Sequence, residues 1–193
     1  LIVDPQIDFM PGGQLAVPEG DEIIKPINAI ISNYDLVVAT QDWHPEHHIS
    51  FAENHTQKQA FESIQLPNGA SQTLWPTHCV QGEIGAEFHP ELNTKPIEAI
   101  FRKGLNPQID SYSGFFDNLK QKDTGLSGYL KSKGVIEFDI CGLAGDICVY
   151  FTIKDALEFG FKVNLIEAAT KALNLTTYNQ QKTELHSLGV KYQ

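Results

Sequence analysis

The chain has 193 residues, room for one domain of ordinary size and not for two. With 41% hydrophobic and 20% charged residues it can bury a core of its own, which excludes a disordered segment. Fourteen basic against twenty-four acidic side chains leave a net charge of −10, which argues against nucleic acid or an anionic membrane as a partner and favours small neutral or cationic molecules.

Three cysteines, Cys79, Cys141 and Cys148, are too few for a disulfide scaffold, so one of them can be a working thiol. Leu1-Ile2-Val3 opens the sequence without a basic stretch or an apolar run of signal-peptide length, and the expected compartment is the cytoplasm. No period of about 20 to 50 residues repeats, which sets aside solenoids. The residues imply no particular oligomeric state.

Leu1 to Val3 reads as a short strand ending at Asp4-Pro5. Ile23, Ile24, Ile27, Ile30 and Ile31 then share one helical face, with Pro26 tolerable near the start. Asp35 to Thr40, Ile97 to Phe101, Val135 to Ile140 and Lys162 to Ile166 read as further buried strands, and Ile147 to Phe159 as a helix closed by Gly160. Strands alternating with helices predict an α/β fold: a single domain whose parallel β-sheet is covered by helices on both faces. Between Trp43 and Pro96 the pattern gives way to a polar stretch that holds most of the histidines and the pairs Pro67-Asn68 and Trp75-Pro76. Irregular inserts of that length are usually functional.

Sites in open α/β sheets form beyond the carboxyl ends of the strands. That rule brings Asp4, Asp42, Lys103 and the turn Gly142 to Cys148 to one edge. Cys148 stands where a strand turns into a helix, so the helix N-terminus is expected to lower its thiol pKa and to offer backbone N–H groups to an oxyanion. A lone cysteine is more often a small buried hydrophobe. Here an acid and a lysine share its edge, and a thiol nucleophile needs both a proton acceptor and a cation. Asp42-Trp43-His44, with His47, His48 and His78 behind it, has the residue types that bind a divalent transition metal, although loops carry histidine for many reasons and both readings stand. Phe9 and Trp75 are either packing residues or the two sides of a slot for a flat ring. His55, His89 and His186 are read as bystanders.

The sequence resembles the nicotinamidase/pyrazinamidase family of the isochorismatase-like hydrolases over nearly its whole length. The resemblance is carried by Asp4-Pro5-Gln6-Ile7-Asp8-Phe9, Gln41-Asp42-Trp43-His44-Pro45, His48-Ile49-Ser50-Phe51-Ala52, Trp75-Pro76-Thr77-His78-Cys79-Val80, Arg102-Lys103-Gly104 with Asp110-Ser111-Tyr112-Ser113, and Gly142-Leu143-Ala144-Gly145-Asp146-Ile147-Cys148-Val149. It implies an isochorismatase-like, Rossmann-like three-layer domain over residues 1–193, with a metal-binding insertion at about 42–90. It implies Asp4, Lys103 and Cys148 as the catalytic residues, with oxyanion donors at the amides of Ala144 and Cys148 reached through a cis Leu143–Ala144 peptide. The implied ligands of one divalent metal, Zn²⁺ before Mn²⁺ or Fe²⁺, are Asp42, His44 and His78, with His48 as a further ligand. Phe9, Trp75 and Ala144 would contact the substrate, and the reaction would convert nicotinamide, or pyrazinamide, to the acid and ammonia through a thioester, within NAD salvage.

Two departures from the family pattern stand out: Gly145 where threonine is usual, and Glu83 where threonine is common. The second carries no consequence. Two rival readings are a carbamoyl- or ureido-group hydrolase with the same Cys, Asp and Lys, against which the metal segment argues, and a silent α/β module in which Cys148 senses oxidants.

Overall fold

The computed structural model describes residues 1–67 and 69–193; Asn68, half of the Pro67-Asn68 turn signal, lies outside the described residues. In chain order the elements are β1 (Ile2–Val3), α1 (Ile24–Ile30), β2 (Val37–Asp42), β3 (Ser63–Gln65), β4 (Ser71–Thr73), β5 (Ile97–Lys103), α2 (Leu126–Ser132), β6 (Glu137–Gly142), α3 (Tyr150–Glu158), β7 (Lys162–Thr170), α4 (Leu175–Ser187) and β8 (Lys191–Tyr192). Six strands form one sheet in the order β5-β2-β1-β6-β7-β8, every pair parallel, while β3 and β4 make a separate antiparallel hairpin. Strand order reverses between β1 and β6, and a crevice opens at such a switch point.

The period of two along each strand sorts the core into two halves. Ile2, Val37, Ala39 and Cys141 face one way and pack against Ile23, Ile24, Ile27 and Ile31 of the α1 region and against Trp75, Ala86 and Leu92 of the long insert. Val3, Val38, Ile140, Val163 and Leu165 face the other way, onto Leu126 and Leu130 of α2, Ile153 and Ala156 of α3, and Tyr178 and Leu185 of α4. The expected parallel sheet with both faces covered is therefore present. No helix among the described residues is long and apolar enough to cross a membrane.

Four strands run at least two residues beyond the expected ends, to Asp42, Lys103, Gly142 and Thr170. Hydrophobicity stops earlier because the last residues serve the site. The ladder continues regardless, with Gln41 opposite Arg102 and Asp42 opposite Lys103. The expected helix over Ile147–Phe159 is in place, but its first turn is wound wider: Val149 N–H reaches back five residues to Ala144 C=O over a π-helical stretch, Gly145–Val149. Its far end closes past Gly160, where Phe161 N–H returns to Ala156 C=O at 3.0 Å.

Candidate active site

The carboxyl ends of β1, β2 and β5 deliver polar side chains to one edge of the sheet. Asp4 follows β1 at φ 45°, a left-handed backbone that non-glycine residues seldom adopt. Its Oδ1 accepts a hydrogen bond from Thr40 Oγ1 on β2 at 2.6 Å, and its N–H donates to the same hydroxyl at 3.2 Å. Lys103 ends β5 with its ammonium fully buried, 2.9 Å from Asp4 Oδ2 and 2.5 Å from Asp42 Oδ1. The same Nζ donates to Ser111 C=O at 3.1 Å and lies 3.4 Å from Cys148 Sγ. One carboxylate oxygen each from Asp4 and Asp42 lies within 4.8 Å of that sulfur. Carboxylate, ammonium and thiol, which the sequence could place only at one edge, are gathered around Lys103 Nζ.

Burial dominates the ionisation of this group. It pushes the Cys148 thiol well above its ordinary value, Asp4 and Asp42 push it further, and Lys103 alone opposes them. The expected lowering by the helix N-terminus is thus overturned, because desolvation of a thiolate outweighs a partial helix charge. Burial also raises the Asp4 carboxyl, against the pull of Lys103. Burial alone would lower Lys103, but Asp4 and Asp42 hold it well above the usual lysine range. The resting centre is a neutral thiol beside a permanent cation and a carboxylate of raised basicity. Cys79 and Cys141 are buried elsewhere; burial raises both, Cys141 to about 11.

Asp42 turns its second oxygen, Oδ2, toward two histidines, 3.6 Å from His44 Nε2 and 3.9 Å from His78 Nε2. Both separations are too long for hydrogen bonds. The other ring nitrogens are engaged: His44 Nδ1 faces Gly104 C=O at 3.1 Å and His78 Nδ1 faces Pro76 C=O at 2.7 Å. A carbonyl accepts only from N–H, which leaves both Nε2 lone pairs free for a metal. His48 Nδ1 lies 2.7 Å from Ser50 Oγ, while its Nε2 is buried without a hydrogen-bond partner. Burial, reinforced by His44, lowers His48 and His78 to about 4, so each is neutral near pH 7. An orphaned buried nitrogen, two free lone pairs and a carboxylate are a donor set suited to a divalent transition metal. His47, grouped with them on spacing, is exposed.

Between thiol and histidines lies a cavity of about 410 Å³, its open mouth included. Phe9, Trp75, Tyr112 and Leu173 give it apolar walls, and Cys148, Ala144, Asp42, His44 and His78 line it as well. The Leu143–Ala144 peptide is cis, as the resemblance implies. Among the described residues, no group accepts a hydrogen bond from the Ala144 amide. At Gly145 the pattern departs for a visible reason: a Cβ there would stand 2.9 Å from the Tyr178 ring and 3.0 Å from Thr170 Cγ2.

Sequence reasoning missed three contributors. Asp110, buried beside His44 and His48, has an oxygen within 4.8 Å of their ring nitrogens and accepts from Gln72 Nε2 at 3.0 Å. Gln72 arrives on the β3–β4 hairpin, which lies in a stretch without readable hydrophobic alternation. Phe51, fully buried, sets its ring 5.4 to 5.6 Å from the rings of His44, His48 and His78. Asp110 and Phe51 lie within quoted motifs, but neither residue type announces its role.

A parallel sheet with a buried thiol, lysine and carboxylate at its switch point defines a doubly wound α/β enzyme. The chain belongs to the isochorismatase family: the model of the Isochorismatase domain matches residues 1–191. A nicotinamidase of Acinetobacter baylyi is 48% identical over 175 residues, covering 91% of this chain and 81% of its own. Among solved structures, a nicotinamidase/pyrazinamidase of Acinetobacter baumannii superposes with a TM-score of 0.94 at 47% identity, covering 99% of this chain and 92% of that one. PnC1 from L. infantum, in complex with nicotinate, gives 0.88 at 40% identity, with 100% and 89% covered. The pyrazinamidase of Pyrococcus horikoshii in complex with zinc gives 0.81 at 39%, with 100% and 96% covered.

Proposed function

We propose that this protein is a nicotinamidase that hydrolyses nicotinamide, and pyrazinamide, to the corresponding acid and ammonia. The observation that carries the proposal is the contact of Lys103 with Asp4, Asp42 and Cys148 beside a cavity lined by Cys148, His44 and His78. The ring would lie between Phe9 and Trp75 with its carboxamide over Cys148.

Asp4 accepts the Cys148 proton while Lys103 balances the charge left on sulfur, and the thiolate attacks the carboxamide carbon. The amides of Ala144 and Cys148 receive the oxyanion. Asp4 returns its proton to the departing nitrogen, the C–N bond breaks, ammonia leaves and a thioester remains. Asp4 then takes a proton from water, the hydroxide adds to the thioester carbon, and the C–S bond breaks. The thiolate regains its proton from Asp4, and the acid is released as its carboxylate, its proton passing through solvent to the free ammonia. A raised Asp4 carboxyl suits this cycle, because the same group must take and return a proton at each half-reaction.

Asp42, His44 and His78 would hold one divalent metal, Zn²⁺ before Mn²⁺ or Fe²⁺, with His48 as a further donor; the residues 42–90 form the insertion that carries them all. When bound, such an ion supplies a Lewis-acid contact for the ring nitrogen of the substrate, a positioning role. Gram-for-gram pure protein incubated with nicotinamide should release ammonia and nicotinate in equal amounts. Ammonia from a ureido or carbamoyl compound but not from nicotinamide would replace this reading with a different amidohydrolase.

A further inference from the structure

Asp4, Gln6 and Asp8 alternate along the segment that leaves β1, and all three side chains are buried. The mechanism uses Asp4 and leaves the other two without a task. β1 stops at Val3 while β2 continues to Asp42, so the last residue of β2 has no strand beside it on that flank. The Gln6 amide takes the place of the missing strand. Its Oε1 accepts from Asp42 N–H at 2.7 Å, and its Nε2 donates to Asp42 C=O at 2.7 Å and to Ala86 C=O at 2.8 Å.

Asp8 holds the opposite limb. Its Oδ2 accepts from Cys79 N–H at 2.7 Å and its Oδ1 from Gln14 N–H at 3.3 Å. That Cys79 N–H belongs to the peptide joining it to His78, and Cys79 sits at φ 48°. Gly85 packs so tightly on the same carboxylate that a Cβ would overlap it. Neither Gln6 nor Asp8 offers an atom to an ion, yet each fixes the backbone of a residue that does.

We infer that Gln6 and Asp8 are positioning residues for the metal centre, Gln6 setting Asp42 and Asp8 setting His78, so that the run from Asp4 to Asp8 ties the general base to both sides of the ion site. The inference rests on the metal reading above. A merely structural pair would lower stability and leave the folded protein's affinity for the ion unchanged.

The test measures Zn²⁺ affinity of the full chain, stripped of metal, by competition with a chromogenic chelator, at a temperature where circular dichroism shows each variant folded. Gln6→Met removes three hydrogen bonds at nearly constant volume; Asp8→Ala removes both acceptors, and Asp8→Asn restores one. Loss of a group that orients a ligand typically weakens metal binding about 10- to 100-fold, the fall expected for Gln6→Met and Asp8→Ala, with Asp8→Asn between Asp8→Ala and wild type. Wild-type affinity in folded Gln6→Met and Asp8→Ala overturns the inference. Should Gln6→Met not fold, the two Asp8 variants decide: equal affinities for Asp8→Ala and wild type overturn it, and a graded loss supports it. Failure of the wild type to take up Zn²⁺ overturns the metal reading, and this inference with it, whatever the variants do.

Discussion

Lys103 shows what a single residue can hold together here. A buried ammonium between two carboxylates is tolerated only because its charge is met on both sides, and removing one member of such a cluster leaves the rest unpaired. Lys103→Met should therefore lower kcat by orders of magnitude and also destabilise the fold, by about 3–5 kcal/mol, in urea titrations near neutral pH. Asp4→Asn should cost a similar factor in kcat with less loss of stability, since Lys103 keeps Asp42. The two substitutions act on one thiol, so their kinetic losses should not multiply; multiplying losses in the double variant would separate them. Cys148→Ala should abolish ammonia release while elemental analysis finds the metal retained. Cys79→Ser and Cys141→Ser should stay active, because neither thiol lines the cavity.

The turn after β6 and the insert after β2 carry the two halves of the site. In the turn, Asp146 pins the approach to α4 by accepting from the N–H groups of Leu173 and Asn174 at 2.8 and 2.9 Å. With Tyr178 filling the space beside Gly145, restoring the family's threonine by Gly145→Thr should overpack the turn, at about 1–3 kcal/mol in thermal or urea melts, and Gly145→Thr/Tyr178→Leu should recover part of that loss. In the insert, chelation should remove most activity toward nicotinamide, and Zn²⁺, Mn²⁺ or Fe²⁺ should restore it. Benzamide keeps the carboxamide and lacks the ring nitrogen. It should be a poor substrate that loses far less on chelation, whereas equal proportional losses would mean that the ion serves the scissile bond or the loop.

Elements differed in how plainly they showed in the sequence. Runs such as Val37-Val38-Ala39 and the spaced isoleucines of α1 are apolar enough to betray their period. α4 shows no apolar period because Tyr178 and Leu185 are its only buried positions, and its one start signal is Asn174, whose side chain accepts from Thr177 N–H. α2 is seven residues long with Gly128 inside it, too short to show a period.

For the molecule as a whole, acid should be the weak side. In the metal-free fold His48 and His78 titrate near 4 instead of about 6.5, so below that value the unfolded chain takes up two protons that the folded chain refuses. Their contribution is complete above pH 6.5 and is lost as pH falls toward 4. Asp4, raised, works in the opposite sense with one proton, and His44, also raised, contributes fully below 6.5 and loses that contribution only as pH climbs through its folded value. The two histidines outnumber the one carboxyl that opposes them, so stability falls with pH in this range. The urea midpoint of chelator-treated protein should fall between about pH 6.5 and 4.5. A flat or rising midpoint would contradict the buried, neutral histidines.

The alternation of strands and helices, the strand-to-helix turn at Cys148 and the residue types of the metal segment could all be read from the chain, because each depends on neighbours a few residues apart. The motif runs also contained every residue assigned to the thiol centre and the ion. Asp110 meeting His44 and His48, Gln72 reaching Asp110, Phe51 among three imidazoles, and the reversal of the Cys148 thiol pKa were settled by folding. Each depends on side chains far apart in sequence becoming neighbours in a space without water, where burial outweighs the local helix field and a hydrogen-bond partner is chosen by the sheet order rather than by the residue beside it.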